Sequence, residues 1–139
     1  MIIRYYRPGD FPQIEALWKE TGVYRPERGD TPEVIERCNT KGGKFFVMEE
    51  EVSKTIIATS WLTWDGRRVL MQYFSVLPSL HGSGYGRELA LASLAYARKK
   101  EAPLKLEVHH SNSPAIQLYE NLGFTILDGY EVYKLQNDL

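Results

Sequence analysis

The chain has 139 residues, 43% of them hydrophobic, with 17 basic and 18 acidic side chains and a formal net charge of -1. This length suffices to bury the core of one compact domain, 1–139, and leaves no room for a second; the near-zero charge excludes a surface that wraps nucleic acid or grips an anionic membrane. A single cysteine, Cys38, excludes an internal disulfide and fits a reducing compartment. No stretch approaches the ~18 apolar residues of a membrane span, so a soluble cytoplasmic protein is expected.

Residues 2–6 have strand composition, and the turn Arg7-Pro8-Gly9-Asp10 leads into a helix carrying Ile14, Leu17 and Trp18 at helical spacing. Gly22 ends that helix. A loop over 23–30 precedes Thr31-Pro32-Glu33, a capping start for a second short helix through Cys38. Cys38 has no companion base motif and reads as a small apolar residue rather than a nucleophile. Gly42-Gly43 breaks the chain, after which residues 44–50, 55–64 and 68–76, rich in β-branched and aromatic side chains, predict an antiparallel meander.

Leu89, Ala90, Leu91, Ala92, Leu94, Ala95 and Ala97 predict a helix apolar on most sides, with Arg98, Lys99 and Lys100 at its C-terminal end. Residues 103–109 alternate Leu104, Leu106 and Val108 against Lys105, Glu107 and His109, the pattern of a strand. A helical crossover makes this strand the parallel neighbour of the one ending at Val76. Asn112 or Ser111 caps a last helix in which Ala115, Leu118, Tyr119 and Leu122 share a face and which Gly123 stops. Residues 124–127 and 131–136 read as a terminal hairpin, whose exposure would permit a homodimer. The fold class is mixed α/β: a central, mostly antiparallel sheet with one parallel strand pair and about four helices on its two faces.

The most chemically informative segment runs Val76-Leu77-Pro78-Ser79-Leu80-His81-Gly82-Ser83-Gly84-Tyr85-Gly86 and opens the helix from about Arg87. Glycines permit positive φ and close approach of backbone N–H groups to a ligand. The helix N-terminus adds unpaired N–H groups and the positive end of its dipole, so the turn has the form of an anion cradle for phosphate or pyrophosphate.

Residues 74–124 resemble the cofactor-binding half of the GNAT N-acetyltransferases. The resemblance rests on three linked motifs: Val76-Leu77-Pro78 at a strand end; His81 to Gly86 as the glycine loop; and Asn112, Ala115, Leu118, Tyr119, Gly123 and Phe124 at matching spacing. One position departs, His81 standing where Gln or Arg is usual, which puts cofactor affinity in doubt rather than cofactor identity. The resemblance implies a splayed parallel strand pair with acetyl-CoA as co-substrate and no metal. Its pyrophosphate would lie on the amides of Gly82, Ser83, Gly84, Tyr85, Gly86 and Arg87, and its pantetheine arm would run along Phe74, Ser75 and Val76, in the manner of an added strand.

Acetyl transfer to an amine needs a deprotonated nucleophile, a polarised carbonyl and a proton for the departing thiolate. By resemblance Tyr119 is the proton donor and a cofactor contact; Asn112 either binds the arm or caps its helix. The inner-strand glutamate some members use as base corresponds roughly to Leu70, which cannot take a proton. Glu107, His109 and His110 are the next candidates, with water as the further carrier. Adjacent strand residues point to opposite faces, so His109 and His110 do not make a metal site. Tyr24, Arg25, Arg28 and Asp30, with the strand pair around Trp61 and Trp64, are candidates for the acceptor side.

The resulting expectation is an N-acetyltransferase that moves an acetyl group directly from acetyl-CoA to a primary amine of a small molecule or a protein. A non-catalytic acyl-CoA-binding module of the same fold is the alternative that His81 and Leu70 keep open. A dinucleotide-binding domain is disfavoured, since no acidic ribose partner follows a first-strand glycine motif.

Overall fold

A computed structural model describes residues 1–136. The chain divides into two compact units, Met1–Glu107 and Val108–Leu139. The first holds the whole five-stranded sheet, in the order β1(Ile2–Tyr5), β2(Lys44–Glu49), β3(Ile56–Trp64), β4(Val69–Val76), β5(Leu104–Leu106). Pairs β1–β2, β2–β3 and β3–β4 are antiparallel and β4–β5 is parallel, as the meander and crossover predict. Helices α1(Phe11–Thr21) and α2(Pro32–Thr40) precede the meander, and α3(Tyr85–Lys99) forms the crossover between β4 and β5.

The caps follow the local chemistry. Gly22 ends α1 at φ 80, a left-handed turn that lacks steric cost only for glycine. Thr31 starts α2 by accepting the Val34 N–H on its hydroxyl.

One core cluster packs α1 and α2 on the sheet: Ile14, Leu17, Trp18 and Ile35 against Phe45, Val47, Ile56, Trp61 and Tyr73. Cys38 packs against it, and burial raises its thiol pKa. On α3 the buried residues are Leu89, Ala90, Ser93, Tyr96 and Ala97, while Leu91 is exposed. The helix is therefore one-sided, not apolar on most sides; its alanines make it read as more buried than it is. Where α3 and the sheet meet, Ser93 bonds Ser60 side chain to side chain at 2.7 Å, satisfying two buried hydroxyls.

Arg4 ties the first two strands to the turn before α1. Its guanidinium donates to both Asp10 carboxylate oxygens at 2.9 Å and to Glu49 at 2.7 Å. Burial opposes the charge on Asp10, but the Arg4 bonds and the Arg7 amide outweigh it and hold the carboxyl below its usual range.

Two expectations fail. The strand anticipated over 103–109 is confined to Leu104–Leu106. Residues 124–127 and 131–136 form no strand; Ile126, Tyr130, Val132, Tyr133 and Leu135 are at least 75% exposed. Strand composition measures fit to a half-buried pleated surface, and among the described residues this segment pairs with no strand. Alternating apolar residues without a ladder partner do not make a hairpin. In the second unit α4(Ser113–Asn121) forms as expected, and Gly123 follows it at φ 96.

Candidate active site

The site is organised by an irregularity in β4. Trp61 pairs with Gln72 and Thr59 with Ser75, so β4 spends one more residue than β3 over this span, a bulge. Tyr73 occupies it at φ 46, left-handed backbone that a bulky side chain adopts only when its surroundings enforce it. Here they do. Trp18 stacks on its ring with centroids 4.0 Å apart, Thr59 donates its hydroxyl to the Tyr73 carbonyl at 2.7 Å while accepting the Trp18 indole N–H at 3.0 Å, and the Tyr73 hydroxyl donates to Asp30 at 2.6 Å. Burial and the Asp30 carboxylate both push the Tyr73 phenol far above its ordinary pKa, so it stays a donor.

The bulge lies just past the parallel pair. β4 and β5 register only as Val69 with Leu104, Leu70 with Lys105 and Met71 with Leu106. The paired register ends at Met71, two residues before the bulge, a feature that locally bends a strand. The result is a fork: Phe74, Ser75 and Val76 lie beyond it on β4, and Glu107 follows the last paired residue of β5. Ser75 is buried, its hydroxyl bonded to Thr21 at 2.8 Å.

At the C-terminal end of β4 the chain makes a 3₁₀ turn at Pro78–Leu80 and enters the glycine loop. Gly82 and Gly84 take φ +84 and +86, and no heavy atom lies within 4 Å of where a side chain would start. Gly86 does not share this conformation, because α3 already begins at Tyr85. Gly84 is the N-cap, and no side chain caps the helix. The first helical bond runs from the Glu88 N–H to the Gly84 carbonyl, so the N–H groups of Tyr85, Gly86 and Arg87 precede the ladder and are available to an anion. The loop leaves open backbone at a helix N-terminus. The His81 ring does not join it as a free donor: its Nε2 lies 2.9 Å from the Val76 carbonyl, closing the loop onto the strand end.

A cleft of about 340 Å³ lies at the opposite, N-terminal end of β4, lined by Thr63, Trp64, Asp65, Arg67, Arg68, Val69, Leu70, Lys105 and Glu107. It brings together Leu70, the position of the missing base, and Glu107, a base candidate. A smaller pocket of about 90 Å³ is lined by Phe11, Glu15, Tyr24, Arg25, Asp30 and Tyr73, among others. Tyr24 donates to Glu15 at 3.1 Å, Arg25 to the carbonyls of Gly22 and Tyr24 at 2.8 Å, and Arg28 lies over the Tyr73 ring. Trp61 is buried in the core cluster.

In the second unit, Asn112 acts as the N-cap of α4, its Oδ1 accepting the Ala115 N–H at 3.4 Å. Tyr119 is buried, packs edge-on against Phe124 at 5.6 Å, and burial holds its phenol well above the ordinary tyrosine range. His109 and His110 lie past the end of β5, and their rings stack at 4.4 Å instead of pointing to opposite faces as strand neighbours would. His109 Nδ1 is 2.7 Å from the Ser111 hydroxyl. Among the described residues no group of three or more His, Cys, Asp or Glu is placed to hold a metal, and no helix is long and apolar enough to cross a membrane.

Sequence reading missed the bulge and the cationic lining of the larger cleft. The bulge leaves no local mark, because Tyr73 is an ordinary strand residue until Trp18, Thr59 and Asp30 converge on it. The Arg67-Arg68 pair after the Asp65-Gly66 turn is visible in sequence; Lys105 joins it only through β4–β5 pairing.

A bulged strand that forks from its parallel neighbour, followed by a glycine turn at a helix N-terminus, defines an acyltransferase of the GNAT fold. Solved structures share it: an acetyltransferase from Streptococcus agalactiae superposes with a TM-score of 0.80 at 20% identity over 99% of this chain and 92% of that one, and the enzyme AAC(6')-Iy, solved with a CoA-linked acetylneamine bisubstrate analogue, with 0.76 at 16% over 98% of each. In sequence, an acetyltransferase of Yersinia enterocolitica is 26% identical over 129 residues, 92% of this chain and 90% of that protein. The acetyltransferase (GNAT) family model matches residues 11–124, and the chain belongs to that family.

Proposed function

We propose that residues 1–139 act as one N-acetyltransferase domain, moving an acetyl group from acetyl-CoA to a primary amine by direct transfer. The observation that carries this reading is the fork in β4 with the glycine turn at one end and the 340 Å³ cleft at the other. The amides of Gly82, Gly84, Tyr85, Gly86 and Arg87 receive the pyrophosphate, while the Ser83 N–H, expected to join them, is donated to the Leu80 carbonyl at 3.3 Å, and the amide-bearing arm lies along Phe74, Ser75 and Val76 toward the fork. The CoA complex of the neighbouring AAC(6')-Iy supports that donor.

The acceptor nitrogen attacks the thioester carbonyl carbon, the C–N bond forms and the C–S bond breaks. The proton lost by the amine passes to Glu107, directly or through water, and the departing thiolate takes one from Tyr119. Glu107 is taken as the base because it lines the cleft. The raised pKa of Tyr119 keeps it protonated, as a donor must be. A cytoplasmic setting is in keeping with one unpaired cysteine.

The test is CoA-thiol release from acetyl-CoA with a panel of small amines and peptide N-termini, alongside acetyl-CoA binding by calorimetry. Tyr119→Phe is expected to lower kcat by about a hundredfold, within the range for a lost general acid, and to change acetyl-CoA affinity far less. Binding of acetyl-CoA with no turnover across the panel would overturn the reading in favour of a binding module.

A further inference from the structure

We propose that the cleft at the N-terminal end of β4 selects an acceptor amine that also carries a compact oxyanion, a carboxylate or a phosphate. This deepens the acetyl-transfer reading above and rests on it.

Arg67, Arg68 and Lys105 line the cleft, and among the described residues none of the three forms an ion pair. Two carboxylates share the lining, but they are not equivalent. Asp65 accepts the Arg67 and Arg68 amides on one oxygen at 2.8 and 2.7 Å; these bonds lower its pKa and commit it to the hairpin turn. Glu107 has no such commitment and sits at the fork, where the amine must arrive. The cleft therefore has a graded lining: Arg67 and Arg68 at the hairpin end, Lys105 opposite Leu70 on β5, and a free carboxylate, Glu107, at the fork end.

A chain with net charge -1 has placed an excess of positive charge at this one cavity. It is not placed for the donor's phosphates. The glycine turn follows Val76, and from Val69 to Val76 a strand spans about 23 Å at roughly 3.3 Å per residue. The anion held here is thus a second one, and an acceptor is the ligand that must enter beside the thioester. Guanidinium groups suit planar or tetrahedral oxyanions, which they bind in a forked geometry, and the volume lies at the small end of ligand pockets.

The test compares β-alanine and aminoethyl phosphate with the uncharged acceptors propylamine and β-alaninamide, in CoA-release assays of the full chain. The anionic acceptors are expected to exceed the neutral ones in kcat/KM by about tenfold or more, the scale of hydrogen bonds to charged groups. The Arg68→Gln/Lys105→Gln double variant, at two exposed positions, is expected to reduce that ratio by a similar factor. Which anionic acceptor ranks first identifies the oxyanion. Neutral amines acetylated as well as anionic ones overturn the proposal and leave acetyl transfer standing. Should no amine be acetylated, binding decides: saturable shifts of the Arg68 and Leu70 backbone amide resonances with β-alanine or aminoethyl phosphate, lost in the double variant, support it, and their absence overturns it.

Discussion

The two ends of β4 are built from different materials. At the C-terminal end the cradle is backbone: two glycines at positive φ and an uncapped helix start. At the N-terminal end the cleft is side chain, with charges brought from the β3–β4 hairpin and from β5. Backbone recognition suits a ligand part that does not vary, and side-chain recognition suits one that does. The bulge at Tyr73 stands between them, just past the last β4–β5 pair at Met71.

The largest effect expected of a single substitution touches neither end, which makes it the control for both. Arg4→Ala removes the guanidinium from the Asp10 carboxylate and leaves that nearly buried charge unpaired. The loss in unfolding free energy is about 3 kcal/mol or more, read by urea denaturation, with the preference between acceptors unchanged. Acid has a related effect with a fixed sign. Because the folded-state pKa of Asp10 is depressed, its contribution is fully present above the ordinary carboxyl range near pH 4 and is lost as pH falls from there through the folded value. In Arg4→Ala this acid-dependent loss is expected to be reduced.

Next comes the bulge itself. Thr59→Val keeps the volume but deletes the hydroxyl that donates to the Tyr73 carbonyl and accepts from Trp18. Two buried groups lose a partner, costing about 1–3 kcal/mol. If the bulge sets the fork, acetyl-CoA affinity falls along with stability. Stability lost with affinity intact would separate the fork from the bulge and break the comparison.

A change at the cradle alone should be smaller and one-sided. Gly84→Ala forces a Cβ into φ +86, at a cost of about 1–2 kcal/mol, expected as roughly a tenfold rise in the acetyl-CoA dissociation constant or an equivalent loss of stability. The relative kcat/KM of anionic and neutral acceptors should not move. If it does, the two ends are not independent.

This difference in material also decides what was legible beforehand. The glycine turn, the last helix with Gly123 at its end and the helix caps are local patterns, and each appears in the structure, the turn shortened because α3 begins at Tyr85. The parallel pair followed from a crossover rule. The splay is what the family resemblance implies, but the bulge beside it was not legible, because Tyr73 carries no signal until Trp18, Thr59 and Asp30, distant in sequence, fix its φ. The opposite-face expectation for His109 and His110 fails for a related reason: alternation alone extends the strand to residue 109, while pairing ends at Leu106. Residues 124–136 repeat the lesson, since their alternation predicts a hairpin and Ile126, Leu127, Tyr130, Val132, Tyr133 and Leu135 are exposed.

The smallest effect expected is at His81, where local and tertiary readings meet. Sequence resemblance places a Gln or Arg here as a cofactor contact; the structure turns the ring back so that Nε2 meets the Val76 carbonyl. If that bond holds the loop in its cradle shape, His81→Ala loses one exposed hydrogen bond, about 0.5–1.5 kcal/mol, or roughly two- to tenfold in acetyl-CoA affinity. His81→Gln retains an N–H donor and should recover most of it. Calorimetric titration of both variants distinguishes loop closure from direct contact: equal loss in the two would mean that the ring, not its hydrogen bond, serves the cofactor, whereas recovery in His81→Gln would assign this position to shaping the backbone on which the donor rests.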